Sequence, residues 1–313
     1  MLTRSQVRSV LRWPELIEAT QQALIAVGDE AALTAATSSQ LRVSGASVHL
    51  KSGALLDPPV LSVKANMRPD AGSSAGVIVA FDPVRFTVRA VLDSADITAM
   101  RTAAIAAVAA RHLAGPGGSG GLGGHRVALI GTGPVGRQAA AALAEVLDIG
   151  EFRLWSRDPA RAEQLAATLL APASVYGSPS EAANGADVVL TATPSREPLL
   201  TAQSLAATTL ILAMGADSPG KRELCEGVLD GAGLVADVPA DAFSVGEFAY
   251  LPAADRSRCV GIGELLAGRL SLPANGRIVF DAVGTAVVDA AAVGLALDIA
   301  ESQNLGTLLD LTA

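Results

Sequence analysis

The second half of the sequence alternates between short apolar segments and longer segments with helical composition. The apolar segments are RVALIG (126–131), FRLWS (152–156), DVVLTAT (187–193), TTLILAMG (208–215) and GLVAD (233–237). The segments between them include PVGRQAAAALAEVL and PARAEQLAATLL. Parallel strands need a crossover connection, so this alternation is typical of a parallel sheet covered by helices. We predict a doubly wound α/β domain over residues 117–282.

The first half has a different rhythm. VLSVKANM (60–67) alternates with a period of two, and GVIVAF (76–81) and FTVRAVLD (86–93) are rich in β-branched residues, which indicates an antiparallel meander. Helices are predicted over 14–28 and 96–114, and a last strand and long helix over 278–301. The segment GPGGSGGLGG (115–124) has the composition of a linker, and we interpret its Gly-x-Ser-x-Gly match (117–121) as part of that linker. Residues 1–116 with 283–313 then form a separate α+β domain.

A glycine motif follows the first apolar segment of the α/β domain. Gly131, Gly133 and Gly136 have Gly-x-Gly-x-x-Gly spacing between a predicted strand and an Ala-rich helix. In that setting the glycines allow a tight turn, close approach of a pyrophosphate and close helix packing, and the helix N-terminus provides N–H donors. The motif predicts a Rossmann NAD(P)-binding domain. The predicted cofactor contacts are Gly131, Thr132, Gly133, Pro134, Val135 and Gly136, together with the strand-end residues Thr191, Ala192, Thr193, Met214 and Gly215.

The residues about 20 positions after this motif bear on the choice of cofactor. An acidic residue is expected there to bind the ribose 2′-hydroxyl of NAD, but this sequence has Ser156 and Arg157. With Arg161, these side chains suit a 2′-phosphate, so NADP(H) is favoured over NAD(H). The alternative is that the arginines are ordinary solvated residues. Asp158, before Pro159, is interpreted as a helix N-cap.

The composition excludes several classes of partner. The net charge is −8 at pH 7 and the cationic residues are scattered, so neither nucleic acid nor an anionic membrane is a predicted partner. The few cysteines and histidines lack zinc-site spacing, so no metal is predicted, and a reduced, cytoplasmic compartment is expected. They are Cys225, Cys259, His49, His112 and His125. No signal peptide is expected, and no apolar run reaches the roughly 18 residues of a membrane-spanning helix.

The loop AMGADSPGKREL (213–224) starts like a phosphate-binding P-loop, with Gly215 and then Gly220-Lys221. A P-loop continues with Ser or Thr to hold magnesium, whereas this chain has Arg222, so we reject that interpretation. The loop instead places Asp217 after an apolar strand, at the sheet edge where α/β folds bind ligands. Asp217 is the predicted catalytic acid/base. The alternative is an aspartate that caps a turn.

Four motifs in this order resemble the ornithine cyclodeaminase/μ-crystallin family over about residues 38–300. They are LDSADITAMRTAAIAAVAARHLA, ALIGTGPVGRQA, GADSPGKREL and VFDAVGTAVVDAAA. The resemblance implies a homodimer whose first domain binds substrate and forms the dimer interface. It also implies that Asp217 is catalytic and that Arg42, Lys64 and Arg101 hold a substrate carboxylate. Lys64 can also reach a nitrogen or a water, so it is predicted as a second catalytic residue. The alternative is that Lys64 lines a solvated strand face and that Arg101 lies on a solvated face of its helix.

One departure from the family concerns the substrate. Ornithine cyclodeaminases carry an acidic residue for the distal ammonium, and the matching stretch SVHLKSG has His49 or Lys51 there. A cation would repel that ammonium. The alternative is that His49 is an ordinary strand residue. We therefore favour an imine or ketimine reductase, or an alanine dehydrogenase-like enzyme. The alternatives are ornithine cyclodeaminase and a non-catalytic NADPH- or ligand-binding protein of the crystallin type.

Overall fold

A computed structural model of the chain describes residues 1–29, 37–69, 74–115, 123–272 and 276–308. The chain divides into two compact units, Met1–Arg101 with Thr285–Ala313 (unit 1) and Thr102–Gly284 (unit 2). The Gly-x-Ser-x-Gly match at 117–121 lies outside the described residues. The domain boundaries predicted at 116/117 and 282/283 stay predictions.

Unit 1 is built around an antiparallel five-stranded sheet in the order β1-β2-β3-β4-β5. Its strands are β1 (Thr37–Val43), β2 (Ala46–Leu56), β3 (Pro59–Pro69), β4 (Ala75–Asp82) and β5 (Thr87–Asp93). Its helices are α1 (Arg4–Val10), α2 (Trp13–Gly28), the first turns of α3 (Ala95–Leu113) and α9 (Ala286–Ser302). The predicted meander and helices are confirmed to within a few residues at their ends.

The helix α9 covers one face of this sheet. Exposure along β3 alternates, with Val60, Ser62, Lys64 and Asn66 buried and the residues between them more exposed, as expected for a strand with one covered face. A side chain at Gly53 of β2 would overlap the backbone of Ala286, so the glycine permits close approach of the helix. Being apolar around most of its circumference, α9 is buried between this sheet and α2.

Unit 2 contains an eight-stranded parallel sheet in the order β12-β11-β13-β10-β9-β6-β7-β8. The strands are β6 (His125–Ile130), β7 (Ile149–Trp155), β8 (Ala173–Val175), β9 (Val188–Thr191), β10 (Leu210–Ala213), β11 (Gly233–Ala236), β12 (Cys259–Gly261) and β13 (Ile278–Asp281). The helices are α4 (Pro134–Ala144), α5 (Pro159–Ala166), α6 (Pro179–Ala183), α7 (Pro239–Val245) and α8 (Ile262–Leu266). The predicted Rossmann-type sheet is confirmed, with β8 and β12 as additional short strands.

The strand order reverses between β6 and β9. From β6 the chain adds β7 and β8 on one side, and it then returns to the other side with β9, β10 and β13. Ligands of open α/β sheets bind at the carboxyl ends of the strands at such a switch point. The loops that follow β6 and β9 therefore flank the expected cofactor crevice.

Three smaller observations complete the fold. Cys225 and Cys259 are free thiols, partly buried against the core of unit 2. Burial raises the pKa of the Cys259 thiol to about 12. Among the described residues, no helix combines the length and apolarity needed to cross a membrane.

Candidate active site

The glycine motif forms the turn between β6 and α4. Gly131 has φ +107°, a conformation that favours glycine, and a side chain there would lie within 2.7 Å of the Ala192 carbonyl oxygen. A side chain at Gly136 would overlap the Gly131 carbonyl, whereas the space beside Gly133 is open for at least 4 Å. These three environments match the turn, packing and pyrophosphate roles of the motif.

The start of α4 also fits a bound anion. The N-cap is Gly133, which offers no side-chain acceptor to the first amides of the helix. The buried hydroxyl of Thr132 has no hydrogen-bond partner among the described residues. A helix N-terminus with uncapped amides is a ready anion site, so this turn suits the pyrophosphate of a dinucleotide.

A buried carboxylate, Glu223, joins the loops that follow β9 and β10. It accepts hydrogen bonds from the Thr191 hydroxyl (2.7 Å), from the Thr193 amide and hydroxyl (2.7 and 2.6 Å) and from the Gly215 amide (3.0 Å). Burial raises the pKa of Glu223, and these four hydrogen bonds oppose that rise. Two of the three threonine hydroxyls predicted to contact the cofactor, those of Thr191 and Thr193, therefore hold these loops in place.

The residues predicted to select the cofactor lie at the carboxyl end of β7. Ser156 is half-buried, and Arg157 is exposed and forms no ion pair within the described residues. Asp158 caps α5 through the Ala160 amide at 3.2 Å, which confirms the predicted N-cap. The Arg161 guanidinium lies 3.3 Å from the Asp158 carboxylate and offsets its negative charge.

Asp217 lies on the loop after β10 and is paired with a lysine. Its Oδ1 accepts hydrogen bonds from Lys221 Nζ at 2.6 Å and from the Ser218 hydroxyl at 3.1 Å. Lys221 Nζ also lies 3.3 Å from the Gly215 carbonyl. Gly220 has φ +77°, which allows the turn that brings Lys221 back to Asp217. The loop thus presents a partly exposed carboxylate with a fixed cation beside it.

Unit 1 contains a second charged group, which is almost completely buried. Lys64 Nζ lies 2.6 Å from Asp289 Oδ2, and Arg101 Nε lies 2.8 Å from Asp289 Oδ1. The three side chains are at most 6% exposed. The view of Lys64 and Arg101 as solvated-face residues is therefore wrong, because the face of β3 that carries Lys64 is covered by α9, the helix that carries Asp289.

The charges in this cluster shift its pKa values. Burial, aided by repulsion from Arg101 and Lys51, lowers the pKa of Lys64 to about 7 despite the attraction of Asp289. Burial alone raises the pKa of Asp289, but the cations Arg101 and Lys64 outweigh it and hold that pKa below its usual value. Asp289 is therefore ionised at neutral pH, while Lys64 is able to gain or lose a proton there.

Strand register places two further predicted residues on the face of the sheet that carries Lys64. His49 is paired with Asn66, and Arg42 with Ser47, which in turn is paired with Arg68. Cross-strand partners share a face, so Arg42, His49 and Lys64 lie on one side. The His49 ring lies 3.1 Å from the Ser47 hydroxyl, and Arg42 is exposed. Of the four predicted substrate residues, Lys64 and Arg101 bind the same carboxylate, that of Asp289.

Three residues of the candidate site were not predicted from the sequence. They are Asp289, Glu223 and Lys221. The signal for Asp289 was present, since an acidic residue inside the apolar helix AVVDAAAVGLA requires a buried partner.

The chain matches the sequence model of the ornithine cyclodeaminase/mu-crystallin family over residues 60–304. It belongs to that family. One relative is the ketimine reductase mu-crystallin of Mus musculus, 31% identical over 71% of this chain and 68% of the relative. Another is the L-lysine cyclodeaminase of Streptomyces rapamycinicus, 34% identical over 74% of this chain and 67% of the relative.

The fold of this family member is also found among solved structures. An archaeal alanine dehydrogenase dimer with bound NAD superposes with a TM-score of 0.87 at 25% identity, covering 99% of this chain and 98% of that one. The family and fold inferred from the four sequence motifs are thus confirmed.

Proposed function

We propose that this chain is an NAD(P)-dependent oxidoreductase that acts on the C–N bond of a small amino or imino acid. The observation that carries the proposal is the buried pair of cations, Lys64 and Arg101, held by one carboxylate in a family member that also has a dinucleotide-binding turn. Two cations against one carboxylate leave a positive charge that an α-carboxylate can neutralise.

In this proposal Lys64 and Arg101 bind the substrate carboxylate. A guanidinium binds a carboxylate through two parallel hydrogen bonds, and an ammonium contributes further donors. Arg42 and His49 lie on the same sheet face and are proposed to contact the remainder of the substrate. The carboxylate is thereby held at a fixed position while the α-carbon and its nitrogen remain available for reaction.

Asp217 is the proposed acid/base. When bound, a nicotinamide cofactor would supply or accept the hydride at the substrate α-carbon. In the reductive direction the substrate nitrogen must also gain a proton, and Asp217 is proposed to deliver it; in the oxidative direction Asp217 removes it. The ammonium of Lys221 at 2.6 Å orients the carboxylate of Asp217 for this exchange.

For the cofactor we propose NADP(H) in preference to NAD(H). Two observations support this choice. Positions 156 and 157 hold Ser156 and Arg157 and not the acidic residue expected for NAD, and the guanidinium of Arg157 is exposed at the carboxyl end of β7. The remaining predicted contacts are the turn residues 131–136 and the strand-end residues Thr191, Ala192, Thr193, Met214 and Gly215.

A second candidate function is cyclodeamination of a diamino acid, which the 34% identity to L-lysine cyclodeaminase favours. In that reaction the second amine attacks the imine carbon, ammonia leaves, and the resulting cyclic imine is reduced to the cyclic amino acid. The position of Lys51 weighs against it. Lys51 is the cross-strand partner of Lys64, and its charge lowers the pKa of Lys64, so a second substrate ammonium near this position would be repelled.

The test is nicotinamide absorbance with three sets of substrates: pyruvate plus ammonia, cyclic imino acids, and the diamino acids ornithine and lysine. Turnover of the first two sets alone supports the reductase. Proline or pipecolate with ammonia as products supports the cyclodeaminase. No turnover of any set despite tight NADPH binding indicates a binding protein and contradicts the proposal.

The acid/base assignment needs a variant and a matched control. Asp217→Asn should lower kcat by about 100-fold or more, because general acid–base catalysis contributes about that much. Asp230→Asn changes an exposed acid of the same unit and should leave kcat unchanged. Undiminished turnover by Asp217→Asn would exclude the assigned role.

We also propose that the protein is a homodimer that forms through the open face of the five-stranded sheet. The residues on that face are large, apolar and 36–56% exposed: Leu41, Val43, Val63, Met67, Val77 and Val88. An apolar patch of this kind marks an interaction surface. A monomer at micromolar concentration in sedimentation equilibrium would contradict the proposal.

A further inference from the structure

Asp289 is an ionised side chain inside an apolar helix. It is 1% exposed, and its neighbours along α9 include Val288, Ala290 and Ala292, all of which are buried. Moving a carboxylate from water into such surroundings costs several kcal/mol unless cations and hydrogen-bond donors surround it. Both carboxylate oxygens are accounted for, one by Lys64 and one by Arg101.

The way in which Asp289 is bound leaves donors available on both cations. Arg101 uses only Nε, and within the described residues its two terminal nitrogens form no hydrogen bond. Those two nitrogens form the edge of the guanidinium that suits a second carboxylate. Lys64 has three ammonium donors, of which one is directed at Asp289.

The sequence separations show that the contact is tertiary. Asp289 lies 225 residues from Lys64 and 188 residues from Arg101, so a strand, a helix start and a second helix meet at this carboxylate. Because each oxygen binds a different cation, the carboxylate fixes the separation and orientation of the two. Neither cation has a second acidic partner in the described part of the chain.

We propose that Asp289 is a positioning residue of the active site. It holds Lys64 and Arg101 side by side with their remaining donors available. When Lys64 is protonated, the cluster has one positive charge to be neutralised by a substrate with a single α-carboxylate. This inference rests on the proposed function, since it assigns the carboxylate-binding role to the pair that Asp289 orients.

The kinetic test is Asp289→Asn, which keeps the shape of the side chain and removes its charge. The Michaelis constant for the imino acid should rise about 10-fold or more, the range expected when hydrogen bonds to charged groups are lost, while kcat falls less. The dissociation constant of NADPH, whose predicted contacts lie in unit 2, should stay within about twofold.

The matched control is Asp298→Asn on the same helix. Asp298 pairs with Arg89 at 2.7 Å but is 59% exposed, so the substitution removes an ion pair without touching the buried cluster. It should leave the Michaelis constant unchanged. Equal Michaelis constants for the two variants would overturn the inference.

A second readout does not depend on turnover. The chain has three lysines, Lys51, Lys64 and Lys221, so trace acetylation followed by peptide mapping can follow each of them with pH. Loss of the Asp289 charge should lower the pH midpoint of Lys64 labelling and leave that of Lys221 in place, because a buried ammonium loses its counter-charge. A rise in the Michaelis constant with no change in this midpoint would indicate general structural damage and would overturn the inference.

Two further outcomes remain to be distinguished. If Asp289→Asn does not fold, Asp289→Glu keeps the charge but moves the oxygens. It should raise the Michaelis constant with a nearly normal labelling midpoint, and an unchanged constant would overturn the inference. If wild-type protein turns over no acid at all, the proposed function fails, whereas normal wild-type turnover with an unaffected Asp289→Asn variant defeats only the role of Asp289.

Discussion

Glu247 provides a prediction about the pH dependence of stability in unit 2. Its carboxylate is 1% exposed and accepts hydrogen bonds from the Glu223 and Leu224 amides at 2.6 and 3.2 Å. Burial, aided by the nearby charge of Glu223, raises the pKa of Glu247 from 4.5 to about 8 against the lowering effect of the two amides. The folded unit therefore retains a proton that the unfolded chain releases.

The direction of the effect follows from proton linkage. Between pH 4.5 and about 8 the folded state binds more protons at Glu247 than the unfolded state, so the free energy of unfolding falls as the pH rises. At about 1.36 kcal/mol per pKa unit, a shift of this size corresponds to a loss of up to about 5 kcal/mol across the window. Below pH 4.5 the stabilisation is fully present.

Glu247→Gln removes the titration but retains one carbonyl oxygen. One of the two amides then lacks an acceptor, which costs about 1–3 kcal/mol at every pH. The variant should be less stable than wild type at pH 5 and more stable at pH 8, so the two curves cross. Glu226→Gln, at an 82% exposed position of the same unit, is the control and should follow wild type.

The assay is urea unfolding followed by the fluorescence of Trp155 in a Trp13→Phe background. These are the only two tryptophans, and Trp155 packs against the core of unit 2, so the signal reports that unit. Wild-type stability that is constant or rises between pH 5 and 8 would refute the reasoning. Parallel curves for wild type and Glu247→Gln would refute it as well.

Two further predictions concern the cofactor. Gly133→Ala should weaken NADPH binding about 10-fold or more, because the new side chain occupies open space at the turn, and should leave stability in urea unchanged. Gly136→Ala should instead destabilise unit 2 by about 1–3 kcal/mol, because the new side chain overlaps the Gly131 carbonyl. Loss of stability in Gly133→Ala and loss of NADPH binding alone in Gly136→Ala would contradict the assigned roles. Arg157→Ala should weaken NADPH binding about 10-fold and leave NADH binding unchanged, since a charged hydrogen bond to the 2′-phosphate is lost; equal losses for both nucleotides would exclude a 2′-phosphate contact.

The parts of the fold that could be predicted from the sequence are those with local periodicity. The alternation of VLSVKANM predicted β3 and the shared face of Ser62, Lys64 and Asn66, but not that this face is buried, and the apolar segments of unit 2 predicted five strands. The strands β8 and β12 have three residues each, which is too short for a pattern to be recognised. The glycine spacing predicted the turn after β6 because the determinants are local: a side chain at Gly131 or Gly136 would clash with nearby backbone, and Gly133 leaves open space.

Residues of the candidate site could be predicted only where they belong to a recognisable motif. Family resemblance assigns Lys64 and Arg101, and the loop position together with the resemblance assigns Asp217, but neither identifies their ionic partners. Asp289 meets residues about 200 positions away, and no sequence spacing encodes such a contact. Glu223 lies in a polar loop, KREL, where nothing distinguishes a buried carboxylate from a solvated one. Tertiary packing decides both cases.

The buried acidic residues of the two units have different surroundings, and their pKa values are shifted in opposite directions. In unit 2 Glu223 and Glu247 are met by neutral amides and hydroxyls, so burial dominates and raises the pKa of each. In unit 1 the buried cations lower the pKa of Asp289, and burial lowers that of Lys64 to about 7.

The folded state of unit 1 therefore binds fewer protons at Lys64 than the unfolded state between about pH 7 and 10.5, and its free energy of unfolding should rise with pH in that window. Trp13 in α2 reports unit 1 in a Trp155→Phe background. From pH 7 to 8 urea unfolding should show unit 1 gaining stability while unit 2 loses it, and Lys64→Met should abolish the gain. Falling stability of both units over that interval would show that Lys64 is not buried as a titrating group, because a desolvated ammonium requires the opposite slope.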